Sequence, residues 1–453
     1  MSKAAVLAER AAGLRFEDLP EDVVFKAKSL LLDQLGCQLA FADLPWSQAV
    51  VRYAQLKQAR GASTVVRHGL KLDAEDAAMC NAVFGHGFEM DDTDMSTTSH
   101  PAVCVVPPVL ALAEQEGSTG AEALTAMVAG YEVMLRVARA ADAMRYNFFH
   151  ASSVPGAFGA AAATAKLRGM DAALMAEALG IATTTAAGNT EYTQSGGTVK
   201  RTLGSTGVLA GMRAALLAEA GITGPGQAFE GRKSFLRGIC PEEPVWDELD
   251  KGFDDEWMIR GVGTKPYCCC AGQHAVIDAA EALRAQGVRH EDIASALITQ
   301  PPREFGDVGA ITMPDDVVSS QFCGRFAFAL RMVRGSNGYF DYTQANVDDP
   351  VIRDLVARTD YARDDGERLT TTQGPAIVSV TLKDGRVLEE QVDFALGRKE
   401  NPMSHEDVVA KFRGLVSQTV SPERAQAIID AVMTIDAADS VSRLTELLVV
   451  ERG

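Results

Sequence analysis

Long apolar runs are missing from this 453-residue chain. No stretch reaches about 18 uncharged apolar residues, so nothing is expected to span a membrane as a helix. The N-terminus, Met1-Ser2-Lys3-Ala4-Ala5-Val6-Leu7-Ala8-Glu9-Arg10, lacks the apolar core of a signal peptide. Positive charge is scarce as well. A balance of 43 Lys and Arg against 61 Asp and Glu leaves a net charge of −18, which argues against nucleic acid and against anionic membrane surfaces. Cysteine is sparse: eight residues lie scattered at 37, 80, 104, 240, 268, 269, 270 and 323. That is too few per length for a disulfide scaffold and points to a reducing, cytoplasmic setting. Three adjacent cysteines do not easily wrap one tetrahedral metal, and no Cys-x-x-Cys partner exists, so zinc and iron–sulfur sites are excluded and packed thiols expected. No glycine cluster follows a predicted strand in the dinucleotide-binding manner. No metal and no organic cofactor are expected. Internal repeats and low-complexity segments are also absent.

What is present is ordinary for a soluble globular enzyme: 47% hydrophobic and 23% charged residues. The length suits two or three domains, or one large core with an insertion. An acidic protein that binds an anionic acid must gather its few cations in one pocket, so clustered Lys, Arg and His are the features to find.

The densest polar stretch runs from Gly85 to His100. It holds four carboxylates (Glu89, Asp91, Asp92, Asp94), two imidazoles (His86, His100) and five hydroxyls within sixteen residues, and apolar segments lie on both sides. Polar groups this dense between core-seeking segments would shift pKa values if buried, which is how acid–base sites are built. The plainer alternative is a hydrated loop that caps the following helix.

Helical spacing dominates the first 262 residues. Val24, Ala27, Leu31, Leu35 and Leu39 recur at three- and four-residue intervals in a helix over 18–43, with Pro20 in its first turn. Further helices are predicted over 46–59, 74–84, 102–116, 172–185 and 205–220. Thr119 with Glu122 forms a capping-box pattern that opens a helix to 141. Residues 153–167 are mostly glycine and alanine, and a helix with so little side-chain volume must be buried among others. The texture then changes. Residues 293–299 form a short apolar run stopped by Pro301 and Pro302. Residues 375–382 and 387–392 alternate around Asp384-Gly385, a hairpin signal. Between these, 325–333 and 351–357 read as helical. Ser404 with Asp407 starts a return to helices. The predicted fold is mostly α: a large all-helical domain (1–262 and 396–453) with an inserted smaller α+β lid domain (263–395).

Three further constellations are candidates for chemistry. His150 precedes the glycine/alanine helix, where the positive end of the dipole favours a neutral imidazole able to act as a base or as a structural cap. Ser195-Gly196-Gly197-Thr198-Val199-Lys200-Arg201 sets two cations beside a glycine pair, suited to a carboxylate or phosphate or to a plain surface turn. It is not a Walker A loop. Lys265, Tyr267 and His274 fall near the predicted domain junction, a favoured place for ligand pockets but equally for a solvated linker.

Together these pieces resemble the MmgE/PrpD family over essentially the whole chain. The matching segments are Glu89–Thr93 with His100-Pro101, Gly130-Tyr131-Glu132, His150 before its small-residue helix and Thr198-Val199-Lys200. They continue through 221–226 with Glu230-Gly231, Lys265-Pro266-Tyr267 with His274, and Asn401-Pro402-Met403. The resemblance implies a large helical domain with a smaller inserted lid, a homodimer, and no metal or organic cofactor. It implies a lyase of the 2-methylcitrate dehydratase-like or cis-aconitate decarboxylase-like kind, acting on a small anionic di- or tricarboxylic acid by proton transfer next to a carboxylate. An epimerase or racemase of a dicarboxylic acid and a non-catalytic homologue are the alternatives. It assigns catalytic roles to His100, His150, Asp91, Asp92 and Thr93, and substrate binding to Glu89, Lys200, Lys265, Tyr267 and His274. His100, His150, Lys200 and Lys265 are expected to line one pocket. Departures from the family pattern are Glu89 in place of aspartate, Met90 in place of phenylalanine, one extra residue between Thr93 and His100, and Phe326 where the decarboxylases carry a pocket tyrosine.

Overall fold

The computed structural model describes residues 1–192, 197–371 and 374–450. The chain is mostly helical, with small sheets, and falls into two compact units. One comprises Met1–Gly87, Asp91–Val262 and Ser404–Gly453; the other comprises Phe88–Met90 and Gly263–Met403.

The first unit is built from helices α1 (Lys3–Gly13), α2 (Glu21–Phe41), α3 (Pro45–Leu56), α4 (Ala74–Gly85), α5 (Pro101–Glu116), α6 (Gly120–Ala140), α7 (Ser153–Leu167), α8 (Ala172–Ala182) and α9 (Leu203–Glu219). The small-residue helix α7 lies at its centre, against α5, α6, α8 and α9. Close approach explains its composition. A Cβ at Gly211 on α9 would run into the Ala157 carbonyl of α7, and one at Gly159 would sit 3.0 Å from the Gly130 carbonyl of α6. The capping box at Thr119 and Glu122 opens α6 as its sequence signals. Pro20 stands one position before α2, as its N-cap residue, rather than within it.

The all-helical reading of residues 1–262 needs one correction. Ser63–Thr64 (β1) and Lys71–Leu72 (β2) pair antiparallel. Two-residue strands are too short to show alternation, so periodicity had nothing to detect.

The second unit carries a four-stranded sheet in the order β4-β3-β5-β6, from Ile293–Gln300 (β3), Thr359–Arg363 (β4), Ala376–Leu382 (β5) and Val387–Val392 (β6). β5 and β6 form the hairpin marked by Asp384-Gly385, with Gly385 at φ 89°. β4, which runs parallel to β3, was not legible: Thr-Asp-Tyr-Ala-Arg shows no apolar alternation. Helices α10 (His274–Ala285), α11 (Gly324–Arg334) and α12 (Pro350–Ala357) complete this unit, and α10 packs on β5 and β6.

The chain then returns to the first unit through α13 (His405–Val416) and α14 (Pro422–Met433). Lys411 of α13 meets Asp33 of α2 at 2.5 Å, with both side chains almost wholly buried. Among the described residues no helix is long and apolar enough to cross a membrane.

Candidate active site

The polar stretch is mostly buried rather than hydrated, and one of its carboxylates caps the following helix. α4 ends at His86, whose amide donates to the Ala82 carbonyl. The segment beyond is shaped by its own side chains: the Asp94 carboxylate accepts from the Thr97 amide at 2.9 Å and from the Ser96 hydroxyl at 2.5 Å. His100 then precedes Pro101, a residue pre-shaped for the first helical position of α5.

Asp92 caps α5 from a distance. Its carboxylate accepts from the Ala102 amide at 3.0 and 3.1 Å and from the Tyr131 hydroxyl at 3.1 Å. Burial, reinforced by the neighbouring Asp91 charge, pushes the Asp92 carboxyl well above the usual carboxylate range. Asp91 faces two imidazoles. Its Oδ2 lies 2.7 Å from His86 Nδ1 and 3.5 Å from His100 Nδ1.

His100 Nδ1 also lies 2.6 Å from the Asp92 carbonyl oxygen, which can only accept. We therefore assign the His100 ring proton to Nδ1, leaving Nε2 as the nitrogen that takes a proton. The ring is 16% exposed, and the backbone amide is held by the Ser152 hydroxyl at 2.9 Å.

His150 has the opposite arrangement. Its Nδ1 accepts from the amides of Ser153 at 3.1 Å and Ser152 at 3.4 Å, where α7 begins. The ring proton is then on Nε2, which donates. The cap reading of His150 holds, and capping with Nδ1 sets a tautomer whose Nε2 carries the proton, where the sequence reading had a base. The His150 amide donates to the Gly188 carbonyl at 3.0 Å. Gly188 has φ 127°, and a Cβ there would sit 2.6 Å from Ser153 Oγ, so only glycine fits. The His86 ring is the common neighbour, with its centroid 5.3 Å from that of His100 and 6.3 Å from that of His150. Thr98 (φ 54°) and Phe148 (φ 63°), non-glycine residues in the left-handed region, stand two positions before His100 and His150. Such strain collects at functional sites.

Thr93 is buried beside Asp92, its hydroxyl 3.9 Å from the Met95 sulfur. Lys200 lies half-buried in the turn Thr198–Thr202 ahead of α9. Ser195 and Gly196 of the glycine-pair motif lie outside the described residues. The adjacent Arg201 is buried; it donates to the His86 carbonyl at 3.4 Å and lies over the Trp46 ring.

In the second unit, Lys265 Nζ lies 3.6 Å from Glu89 Oε2 and 3.5 Å from the Glu89 carbonyl oxygen, with both side chains buried. The Tyr267 hydroxyl donates to Asp278, and its ring meets His274 edge-on at 5.3 Å. His274 Nε2 lies 3.4 Å from the Cys269 carbonyl. Phe326 is buried there beside Tyr342.

Sequence reasoning missed the part played by His86, Tyr131 and Ser152. His86 was visible as the second imidazole of the polar stretch, and Tyr131 as part of Gly130-Tyr131-Glu132. Nothing in the sequence marked Ser152. Among the described residues, no group of three or more His, Cys, Asp or Glu side chains is arranged to hold a metal ion. The first unit thus gathers, around His86, one imidazole set to accept a proton at Nε2 and one set to donate from Nε2, with a buried carboxylate behind the first.

The model of the MmgE/PrpD N-terminal domain matches residues 5–246, and that of the C-terminal domain matches 267–437. A cis-aconitate decarboxylase of Aspergillus terreus is 29% identical over 97% of this chain and 94% of its own length. Those of Mus musculus and Homo sapiens are each 26% identical over 96% of this chain, covering 91% and 92% of their own lengths. The two domain models together span most of the sequence, and the chain belongs to the MmgE/PrpD family.

Proposed function

We propose that this protein is a lyase acting on a small di- or tricarboxylic acid, of the cis-aconitate decarboxylase-like or 2-methylcitrate dehydratase-like kind, and that it needs no metal or organic cofactor. The observation that carries the reading is the complementary pair of imidazoles: Nε2 of His100 as acceptor and Nε2–H of His150 as donor. The full-length similarity to cis-aconitate decarboxylases supports it.

In the dehydratase form, His100 Nε2 takes the C–H proton beside a carboxylate and the electron pair becomes the new C=C bond. The C–O bond breaks, and the leaving oxygen takes a proton and departs as water. In the decarboxylase form, the C–C bond to the departing CO2 breaks, its electron pair stays on the carbon skeleton, and a carbon takes up one proton. Both routes build negative charge next to a carboxylate. His150 Nε2–H, Thr93 and the cations Lys200 and Lys265 are proposed to stabilise that charge. Asp91 stabilises the imidazolium that forms at His100, and Asp92 fixes the helix start that holds it. Glu89, Tyr267 and His274 complete the proposed binding set around Lys265. A homodimer in the cytoplasm is part of the same proposal.

The second reading is an epimerase of a dicarboxylic acid. One accepting and one donating imidazole also suit removal of a proton from one face and its return to the other. Proton NMR in deuterium oxide with a panel of di- and tricarboxylates, after dialysis against a strong chelator, tests both. A new alkene or a lost carboxylate, at a rate unchanged by the chelator, is the expected result. Deuterium wash-in at one carbon without loss of water or CO2 selects the epimerase. No change in any acid, or a rate lost to the chelator and restored by one metal, overturns the proposal.

A further inference from the structure

We propose that Arg398 is a further substrate-binding residue: a second cation of the second unit, which takes a carboxylate of the acid beside the one assigned to Lys265. The inference rests on the lyase reading above and deepens it.

Arg398 is buried with little to pair it. Its side chain is 3% exposed, and its Nη2 donates to the Ala271 carbonyl at 2.7 Å. Among the described residues, Nε and Nη1 have no hydrogen-bond partner and the guanidinium forms no ion pair. Burial lowers its pKa to about 10, which leaves it charged at neutral pH. A buried cation without a counter-ion is costly, and a carboxylate accepting from its N–H groups would offset that cost.

The charged and titratable groups that face Arg398 are Cys270, Glu304, Glu400 and Arg303. Glu304 is the buried carboxylate among them, yet the two do not pair. A Cβ at Gly374 (φ 71°) would sit 3.3 Å from Arg398 Nη2 and 3.6 Å from Glu304 Oε1, so both side chains abut this glycine. Burial raises the Glu304 carboxyl above the usual range, so it keeps a proton more readily and competes less for the guanidinium.

The guanidinium also lies against the proposed binding set. The Thr264 amide donates to the Gly397 carbonyl at 3.1 Å, and a Cβ at Gly397 (φ 86°) would run into the Thr264 carbonyl. Lys265 and Arg398 are the next residues beyond this close backbone pass. Ala271, whose carbonyl holds Arg398, falls between Tyr267 and His274 in the segment that Lys265 begins. Lys265 faces Glu89, whereas Arg398 faces no carboxylate at ion-pair distance. A guanidinium with open N–H groups is suited to a carboxylate. Two cations on adjoining segments fit an acid with at least two carboxylates, and a monocarboxylic acid would leave one cation unmet.

Titration calorimetry of the full-length protein tests this, with citrate, cis-aconitate and succinate as probes. The wild type should bind at least one of them. Arg398→Met should weaken that binding about 10–100-fold, the loss of one charge-assisted pair. Arg398→Lys keeps the charge but not the planar fork, and its affinity should lie between the two. With an acid that is turned over, KM should rise by a similar factor in Arg398→Met while kcat changes far less. A purely structural role would lower the urea midpoint and leave the affinity of the folded protein unchanged; the midpoint of Arg398→Met is expected at or above wild type, because an unpaired buried charge is gone. Equal affinity in Arg398→Met and wild type overturns the proposal, as does a wild type that binds none of the probes. Should Arg398→Met not fold, Arg398→Lys decides, and an affinity equal to wild type overturns the proposal. Turnover of an acid whose KM does not depend on Arg398 sinks this inference and leaves the lyase reading standing. Binding that depends on Arg398, without turnover of any acid, does the reverse.

Discussion

A histidine's chemistry depends on which of its nitrogens is already occupied, and here the backbone makes that choice. His150 accepts from two amides at the start of α7, so its Nε2 carries the proton; His100 donates to a carbonyl, so its Nε2 is an acceptor. Replacing His150 by Ala should lower kcat by about 10²–10⁴ with the true substrate while the fold survives; kinetics near wild type would remove His150 from the mechanism. Lys265, buried against Glu89, is proposed to hold a substrate carboxylate. Lys265→Ala should raise KM as well as lower kcat, because a desolvated carboxylate loses its charged partner; an unchanged KM in steady-state kinetics contradicts this. Residue types and their order were readable in the sequence. The tautomers were not, because they depend on amides and carbonyls supplied by the folded backbone.

At the scale of elements, two features have measurable consequences. The first is the capping of α5 by Asp92. Burial raises the folded-state pKa of this carboxyl above its unfolded value near 3.9, so the folded state binds the proton more readily than the unfolded chain. The associated stability is fully present below the unfolded pKa and is lost as pH rises through the folded one. Asp33, also raised by burial, adds to the same trend. Urea midpoints measured from about pH 4 to 8 should fall with pH in the wild type and fall less steeply in Asp92→Asn. Equal slopes would show that Asp92 is not the source. The second feature is the contact of α7 with α9. Gly211→Ala gains about 1 kcal/mol of helix propensity but drives a Cβ into the Ala157 carbonyl. Overpacking of this kind costs about 1–3 kcal/mol, so the net effect should be destabilising. Gly414→Ala on α13, where nothing lies within 4 Å of the new Cβ, should instead stabilise by about 0.4–1 kcal/mol. Denaturation curves that place both changes on the same side of wild type would defeat the packing argument. The glycine/alanine run announced a tightly buried helix from composition alone; which glycine touches which carbonyl depends on how helices distant in sequence cross.

For the whole molecule, the cysteine reading extends to reactivity. All eight are thiols, and seven are buried. Burial pushes Cys80 and Cys269 up to about 12 and Cys240 and Cys323 up to about 11, and it raises Cys37 and Cys104 well above the usual thiol range. Thiol titration of the native protein should find no more than one fast-reacting group, the half-buried Cys270, and eight after unfolding; several fast groups in the native state would contradict the burial. The sequence by itself determined the helical class, the strand hairpin at Asp384-Gly385, the small-residue centre of α7 and the family, because these follow from periodicity, turn chemistry, side-chain volume and residue order, all local or cumulative along the chain. Only the tertiary structure decided that Asp91 stands between His86 and His100, that His86 neighbours both proposed catalytic histidines, and that Lys411 pairs with Asp33. Each of those depends on groups from separate segments meeting in a low-dielectric interior, where a few ångströms set the proton positions, and no one-dimensional pattern encodes that distance.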